Sequence, residues 1–137
     1  MSITGHCLCG AVRFELTERP TVVGYCHCTR CQRRSGAAAS ANAAIPPGAL
    51  RMLAGEDDMV AFAPPDGFEK VFCGRCGGAL FGRHPTDPDR IGVRLGALDP
   101  GHGLRPTYRQ FVADAADWEP IPDDGMEHFP GSRHAGR

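Results

Sequence analysis

Cys73-Gly74-Arg75-Cys76-Gly77-Gly78 is the stretch around which the chain organises itself. Cys-x-x-Cys wraps two thiolates round one ion, and the glycines at 74, 77 and 78 let the backbone turn tightly enough to do so. A structural zinc takes four protein ligands, so this knuckle needs two more from elsewhere in the chain. Cys7 and Cys9 are its natural partners, since at a spacing of two on an extended segment both sulfurs lie on one face. Joining residues 7–9 to 73–76 closes a long loop, which is where a cross-link constrains the unfolded chain most. The remaining group, Cys26, Cys28 and Cys31, supplies three thiolates within six residues. Three protein ligands with the fourth position free is the usual construction of a catalytic zinc site. Four plus three uses all seven cysteines and predicts two zinc ions per chain, the second the more labile. Two alternatives use the same residues: the second group could recruit His27 or His6 as a fourth ligand, or the knuckle could pair with the other cluster.

Working outward from the knuckle, the chain is a series of short strand-like runs separated by turns. Phe68–Cys73 and Ala79–Arg83 flank it, and Leu50–Leu53, Met59–Ala63, Arg90–Leu95 and Thr107–Val112 have the same character. Ala11–Leu16 alternates Val12, Phe14 and Leu16 with Arg13 and Glu15, so one face is buried. Thr21–Tyr25 is β-branched and leads into the second cluster, and Ala37–Ile45 suits a strand or a short helix that Pro46-Pro47 ends. The only helical piece predicted near the metal is Thr29 to Ser35. Regular strands with Gly- and Pro-rich turns predict an all-β, antiparallel, single-domain protein. The domain is expected over residues 1–130, with Trp118, Ile121 and Phe129 pinning the later part and 131–137 as a flexible tail.

Composition excludes several classes. With 42% apolar and 23% charged residues in 137, the chain is ordinary globular material with one real core. A formal charge of −1 gives no bulk attraction to nucleic acid or anionic membrane. No apolar run is long enough to span a bilayer, and Met1 to Gly10 lacks the features of a signal peptide. A cytoplasmic location is therefore expected, where clustered cysteines are more often metal ligands than disulfides.

Three thiolates leave a bound zinc with low Lewis acidity, which suits binding another sulfur better than activating water. The chemistry this predicts is addition of a thiol to a small carbonyl compound, or its release. Arg30, Arg33 and Arg34 flank the open site and could clamp carboxylates of a glutathione-like ligand, Arg33 foremost. His27 lies between two ligands and is expected to point away from the ion. The rival from another class is a non-catalytic, zinc-stabilised module that binds thiols or proteins.

Gly5-His6-Cys7-Leu8-Cys9-Gly10-Ala11-Val12, Tyr25-Cys26-His27-Cys28-Thr29-Arg30-Cys31-Gln32-Arg33-Arg34-Ser35-Gly36 and Phe72-Cys73-Gly74-Arg75-Cys76-Gly77 together resemble the glutathione-dependent formaldehyde-activating enzymes, a family that includes centromere protein V. The resemblance implies a β-tent fold of small antiparallel sheets and a structural zinc on Cys7, Cys9, Cys73 and Cys76. It also implies a catalytic-type zinc on Cys26, Cys28 and Cys31. The activity it implies is a carbon–sulfur lyase reaction, condensing formaldehyde with glutathione to S-hydroxymethylglutathione. Two positions depart from the family pattern: Gln32 stands where Arg is common, and Arg109 near a position where His is frequent.

Overall fold

The structure is a computed structural model that describes residues 2–134. In chain order its elements are β1 (Ile3–His6), β2 (Arg13–Leu16), β3 (Val23–Cys26), α1 (Thr29–Ser35), β4 (Ser40–Ala44), β5 (Leu50–Ala54), β6 (Met59–Phe62), β7 (Glu69–Cys73), β8 (Ala79–Arg83), β9 (Ile91–Arg94), β10 (Tyr108–Gln110) and β11 (Glu127–His128), with short 3-10 turns between some of them. Packing divides the chain into two compact units, Met1–Thr21 with Ala43–Gly103, and Val22–Asn42 with Leu104–Arg137.

In the first unit β2 lies between β1 and β5, antiparallel to both. Ile3 faces Leu16 and Gly5 faces Phe14 across the β1–β2 ladder, so the period-two alternation turns these residues to one buried side. Gly5 is required there, because the Phe14 ring and the Ala97 carbonyl fill the space a β-carbon would take. Strands β6, β7, β8 and β9 form an antiparallel meander, with a bulge in β7 between Val71 and Phe72. Val71, Leu80, Phe81 and Val93 from this meander are fully buried, as are Val12, Phe14 and Leu16. Phe14 and Phe81 meet edge to face with centroids 4.9 Å apart, a geometry that favours aromatic pairs beyond the area they bury. Strand β7 ends at Cys73, so the ladder that buries Val71 also delivers the knuckle.

In the second unit β10 lies between β3 and β11 and runs parallel to both, with Tyr108 opposite Gly24 and Gln110 opposite Cys26. Gly24 is required because the Tyr108 ring lies where its β-carbon would be. Helix α1 follows the Cys26-His27-Cys28 turn and ends at Gly36, whose left-handed backbone (φ 68°) returns its N–H to the Gln32 carbonyl.

The all-β class of small sheets and the helix at Thr29–Ser35 are as expected, and Ala37–Ile45 contains a strand. The antiparallel expectation fails at β10. A parallel partner needs a long connection, and more than eighty residues separate β3 from β10. Trp118 is 67% exposed and does not pin the C-terminal part, whereas Phe129 does, its ring against Tyr108 at 6.3 Å. Of the expected tail, Gly131 accepts the Phe111 N–H and the Arg133 N–H donates to Gln110 Oε1, while 135–137 lie outside the described residues. No described helix is long and apolar enough to cross a membrane.

Replacing Phe14 by Ala removes the aromatic pair and leaves a cavity, and is expected to cost about 3–5 kcal/mol of unfolding free energy, with Phe14→Leu costing clearly less. Urea unfolding of the metal-loaded proteins measures the difference.

Candidate metal centres

Two turns of similar construction bring four sulfurs together in the first unit. At the first, the Cys7 N–H reaches the Val12 carbonyl (3.1 Å) and the Gly10 N–H the Cys7 carbonyl (3.1 Å), with Gly10 in the left-handed region at φ 80°. At the second, the Cys73 N–H reaches the Gly78 carbonyl (3.0 Å) and the Gly77 N–H the Cys73 carbonyl (2.8 Å), with Gly77 at φ 76°. The turns meet at Gly78, where a β-carbon would sit 3.2 Å from the Leu8 nitrogen and 3.4 Å from Cys76 Sγ. Backbone amides then point at sulfur, Val12 N–H to Cys7 Sγ at 3.3 Å and Arg75 N–H to Cys73 Sγ at 3.4 Å.

The sulfurs of Cys7, Cys9, Cys73 and Cys76 all lie within 4.8 Å of one another, with Cys7–Cys9 at 3.6 Å and Cys9–Cys73 at 3.9 Å. Tetrahedral sulfurs about 2.3 Å from a zinc ion would stand roughly 3.8 Å apart, close to the Cys7–Cys9 and Cys9–Cys73 spacings. Amide donors also prepare the charge. The Cys9 and Gly78 N–H groups bring the Cys76 thiol down to about 6. Cys7 is lowered as well: burial opposes ionisation, but the Val12 amide and the Cys9 and Cys73 sulfurs outweigh it. At Cys9 the Ala11 amide favours the thiolate, yet burial and the neighbouring sulfurs push it up to about 11.

In the second unit Cys26, Cys28 and Cys31 form a separate cluster, also within 4.8 Å, and they are only 6%, 9% and 7% exposed. Strand β3 supplies Cys26, the turn supplies Cys28, and the first turn of α1 supplies Cys31. Cys28 precedes the helix with extended backbone, and its sulfur accepts the Cys31 N–H at 3.3 Å. Donation from the Cys26 and Cys31 thiols, helped by that amide, holds Cys28 down at about 2. Cys26 is pushed far up by the same two neighbours, Cys28 and Cys31, and by burial. A cation bound at the three sulfurs would displace thiol protons. Among the described residues no His, Asp or Glu side chain joins the three sulfurs.

His27 points elsewhere. Its ring is 3% exposed, with Nε2 3.1 Å from Nη1 of Arg109. Arginine only donates, so Nε2 is the acceptor. Burial and the Arg109 charge both lower the His27 pKa. Arg109 in turn lies over the Tyr25 ring (4.5 Å) and donates from Nε to Asp124 at 2.8 Å.

All seven cysteines are thus gathered into two clusters, each of which could hold a metal ion. Residues 2–114 match a family profile described as glutathione-dependent formaldehyde-activating enzyme. The chain belongs to that family. A Halomonas elongata protein named "Putative glutathione-dependent formaldehyde-activating enzyme" is 30% identical over 105 residues, 72% of this chain and 67% of the relative. A crystal structure of a Rhodobacter sphaeroides protein is similar in fold, with a TM-score of 0.60 and 22% identity over 92% of this chain and 98% of that one.

Within the family, both departures have structural roles here. The Gln32 side-chain amide donates to the carbonyls of His27 and Asp114, each at 2.9 Å, and so ties the ligand turn to the segment after β10. Arg109 is committed to His27 and Asp124. Arg30, Arg33 and Arg34 all lie on α1, Arg30 and Arg33 on its exposed surface, and the Arg30 charge adds to the lowering of Cys28. Ser35 hydrogen-bonds the Cys31 carbonyl (2.7 Å) and accepts the Ala37 N–H (3.1 Å), serving the helix end. Sequence reasoning missed Phe111, which packs against the cluster of Cys26, Cys28 and Cys31, and Asp124, which anchors Arg109. Neither residue belongs to a motif, and nothing in the local sequence marks them.

The Met126 N–H, together with Arg109, holds the Asp124 carboxyl below its ordinary 3.8 although burial opposes this. A lowered pKa stabilises the fold above the unfolded-state value and the benefit is lost as pH falls through the folded value. Asp124→Asn is therefore expected to lower the urea midpoint by a constant amount between about pH 8 and pH 5, with the gap to wild type closing only below about pH 4. A gap that already narrows near about pH 6 contradicts the depressed titration.

Proposed function

We propose that the chain is a zinc-dependent enzyme of the carbon–sulfur lyase type, joining the thiol of glutathione to a small aldehyde, formaldehyde first, at Cys26, Cys28 and Cys31. The observation that carries this is the second cluster: three buried sulfurs in contact range, with no fourth His, Asp or Glu among the described residues, in a member of this family. Zinc is the metal that suits an all-thiolate tetrahedral donor set. Cys7, Cys9, Cys73 and Cys76 would hold the first ion as a closed structural site, and Cys26, Cys28 and Cys31 the second, more labile one. A cytoplasmic setting, rich in thiols and reducing toward cysteine, suits both clusters.

When bound at the three sulfurs, zinc supplies a soft position at which an incoming thiol stays deprotonated. The chain's own contribution is placement. The Cys31 N–H spreads charge away from Cys28 Sγ, and burial of the three sulfurs keeps bulk water from them. Arg33, Arg30 and Arg34 on α1 would pair their guanidinium groups with the carboxylates of glutathione. In the reaction the thiol loses its proton and a carbon–sulfur bond forms to the carbonyl carbon. The carbonyl π pair moves to oxygen, which takes up a proton to become the hydroxyl of the hemithioacetal. The reverse cleavage follows the same path.

Exchange NMR with carbon-13 formaldehyde and glutathione tests this against the spontaneous reaction. The protein carrying two zinc ions is expected to accelerate exchange by about tenfold or more. Cys28→Ser should return the rate to the spontaneous value while the metal content falls by one ion and the fold persists. No acceleration by the fully loaded protein contradicts the enzyme and leaves a zinc-stabilised binding module.

A further inference from the structure

We propose that Phe111 is the specificity-determining wall of the three-sulfur site, its ring set between the sulfurs and solvent so that only the smallest aldehydes fit. This rests on the function proposed above and names the feature of the chain that selects the carbonyl partner.

Phe111 packs directly against Cys26, Cys28 and Cys31. The sulfur-bearing residues are buried, whereas Phe111 is partly exposed, so Phe111 borders both the cluster and water. Its backbone is the second observation. Among the described residues Phe111 is the only non-glycine with positive φ, at φ 56° and ψ 39°. A bulky side chain in this region persists only where its surroundings over-determine it, and such residues gather at functional sites.

The register shows what the strained turn achieves. Gln110 pairs with Cys26 in the parallel ladder, and paired residues share a face. Had β10 continued extended by one residue, Phe111 would have fallen on the opposite face, the one shared by His27 and Arg109. With the left-handed turn, Phe111 instead packs against the cysteine cluster. Three consecutive amides hold it there: Phe111, Val112 and Ala113 N–H donate to the carbonyls of Gly131, Phe129 and Pro130 at 2.9, 3.1 and 3.2 Å. The Gln32 amide adds a strap between Asp114 and the ligand turn, tying the segment just after Phe111 to that turn.

An aromatic wall offers no hydrogen bond to a substituent and occupies its volume. Formaldehyde carries only hydrogens on the carbonyl carbon and passes this filter, while a longer alkyl group collides with it.

Phe111→Ala and Phe111→Gly test the assignment on zinc-loaded protein by two readouts, chelator-driven metal release and the rate ratio of propionaldehyde to formaldehyde with glutathione. Both variants are expected to raise that ratio by about tenfold. Both should also speed the release of one zinc ion while the other is released at the wild-type rate. Glycine relieves the turn, so Phe111→Gly should be at least as resistant to urea as Phe111→Ala and keeps the test open should the alanine variant unfold. Folded variants with two zinc ions, the wild-type ratio and wild-type release overturn the proposal. If the wild type binds two zinc ions but accelerates nothing, the function proposed above has failed. The Phe111 assignment is then judged on release alone, where an unchanged rate overturns it.

Discussion

Convergence of Cys7 and Cys9 on Cys73 and Cys76 is the constraint on which the rest of the first unit depends. It joins positions 64 residues apart, from Cys9 to Cys73, and a closure of that length costs an unconstrained chain on the order of 4 kcal/mol. An ion shared by four thiolates would offset that cost in the folded state, since the site does not exist in the unfolded chain. Each half is prepared locally by a left-handed glycine and by amides aimed at sulfur. The first half precedes β2, which buries Phe14, and the second ends β7, which buries Val71. The metal centre and the apolar core are therefore fixed by the same strands.

The three-sulfur cluster is built on different terms. Its ligands fall at the end of β3, in the turn that follows and at the start of α1, so it costs little chain entropy to assemble and gains little by closing a loop. What the fold contributes is the surroundings: Gln32 strapping the ligand turn to Asp114, His27 turned toward Arg109, and Phe111 packed against the cluster. A metal held there by three ligands would leave a coordination position for a further sulfur, which a four-ligand centre does not. Arg109 belongs to the same frame: it forms a charged pair with Asp124 and donates to the buried His27 ring.

Much of this was legible in the sequence because it is local. The cysteine spacings select the two clusters, the helix runs from Thr29 to Ser35 as expected, and β8 keeps its expected bounds. Strand β1 was not legible because its buried face presents a glycine, Gly5, where alternation would show an apolar side chain. Strand β11 consists of two exposed polar residues and carries no apolar pattern at all. The parallel pairing of β10 depends on where a distant segment returns, which no local periodicity encodes. Phe111 was missed for a related reason: a left-handed phenylalanine is imposed by tertiary hydrogen bonds and contradicts the preference of the residue itself.

The central claim is that one metal centre is closed and the other open to a thiol. X-ray absorption at the zinc edge, on protein quantified at two zinc ions per chain and measured before and after addition of glutathione, tests it most directly. The account predicts an average sulfur coordination rising from about 3.5 toward about 4 as the open site takes the substrate thiol. An unchanged first shell at two zinc ions per chain would contradict it.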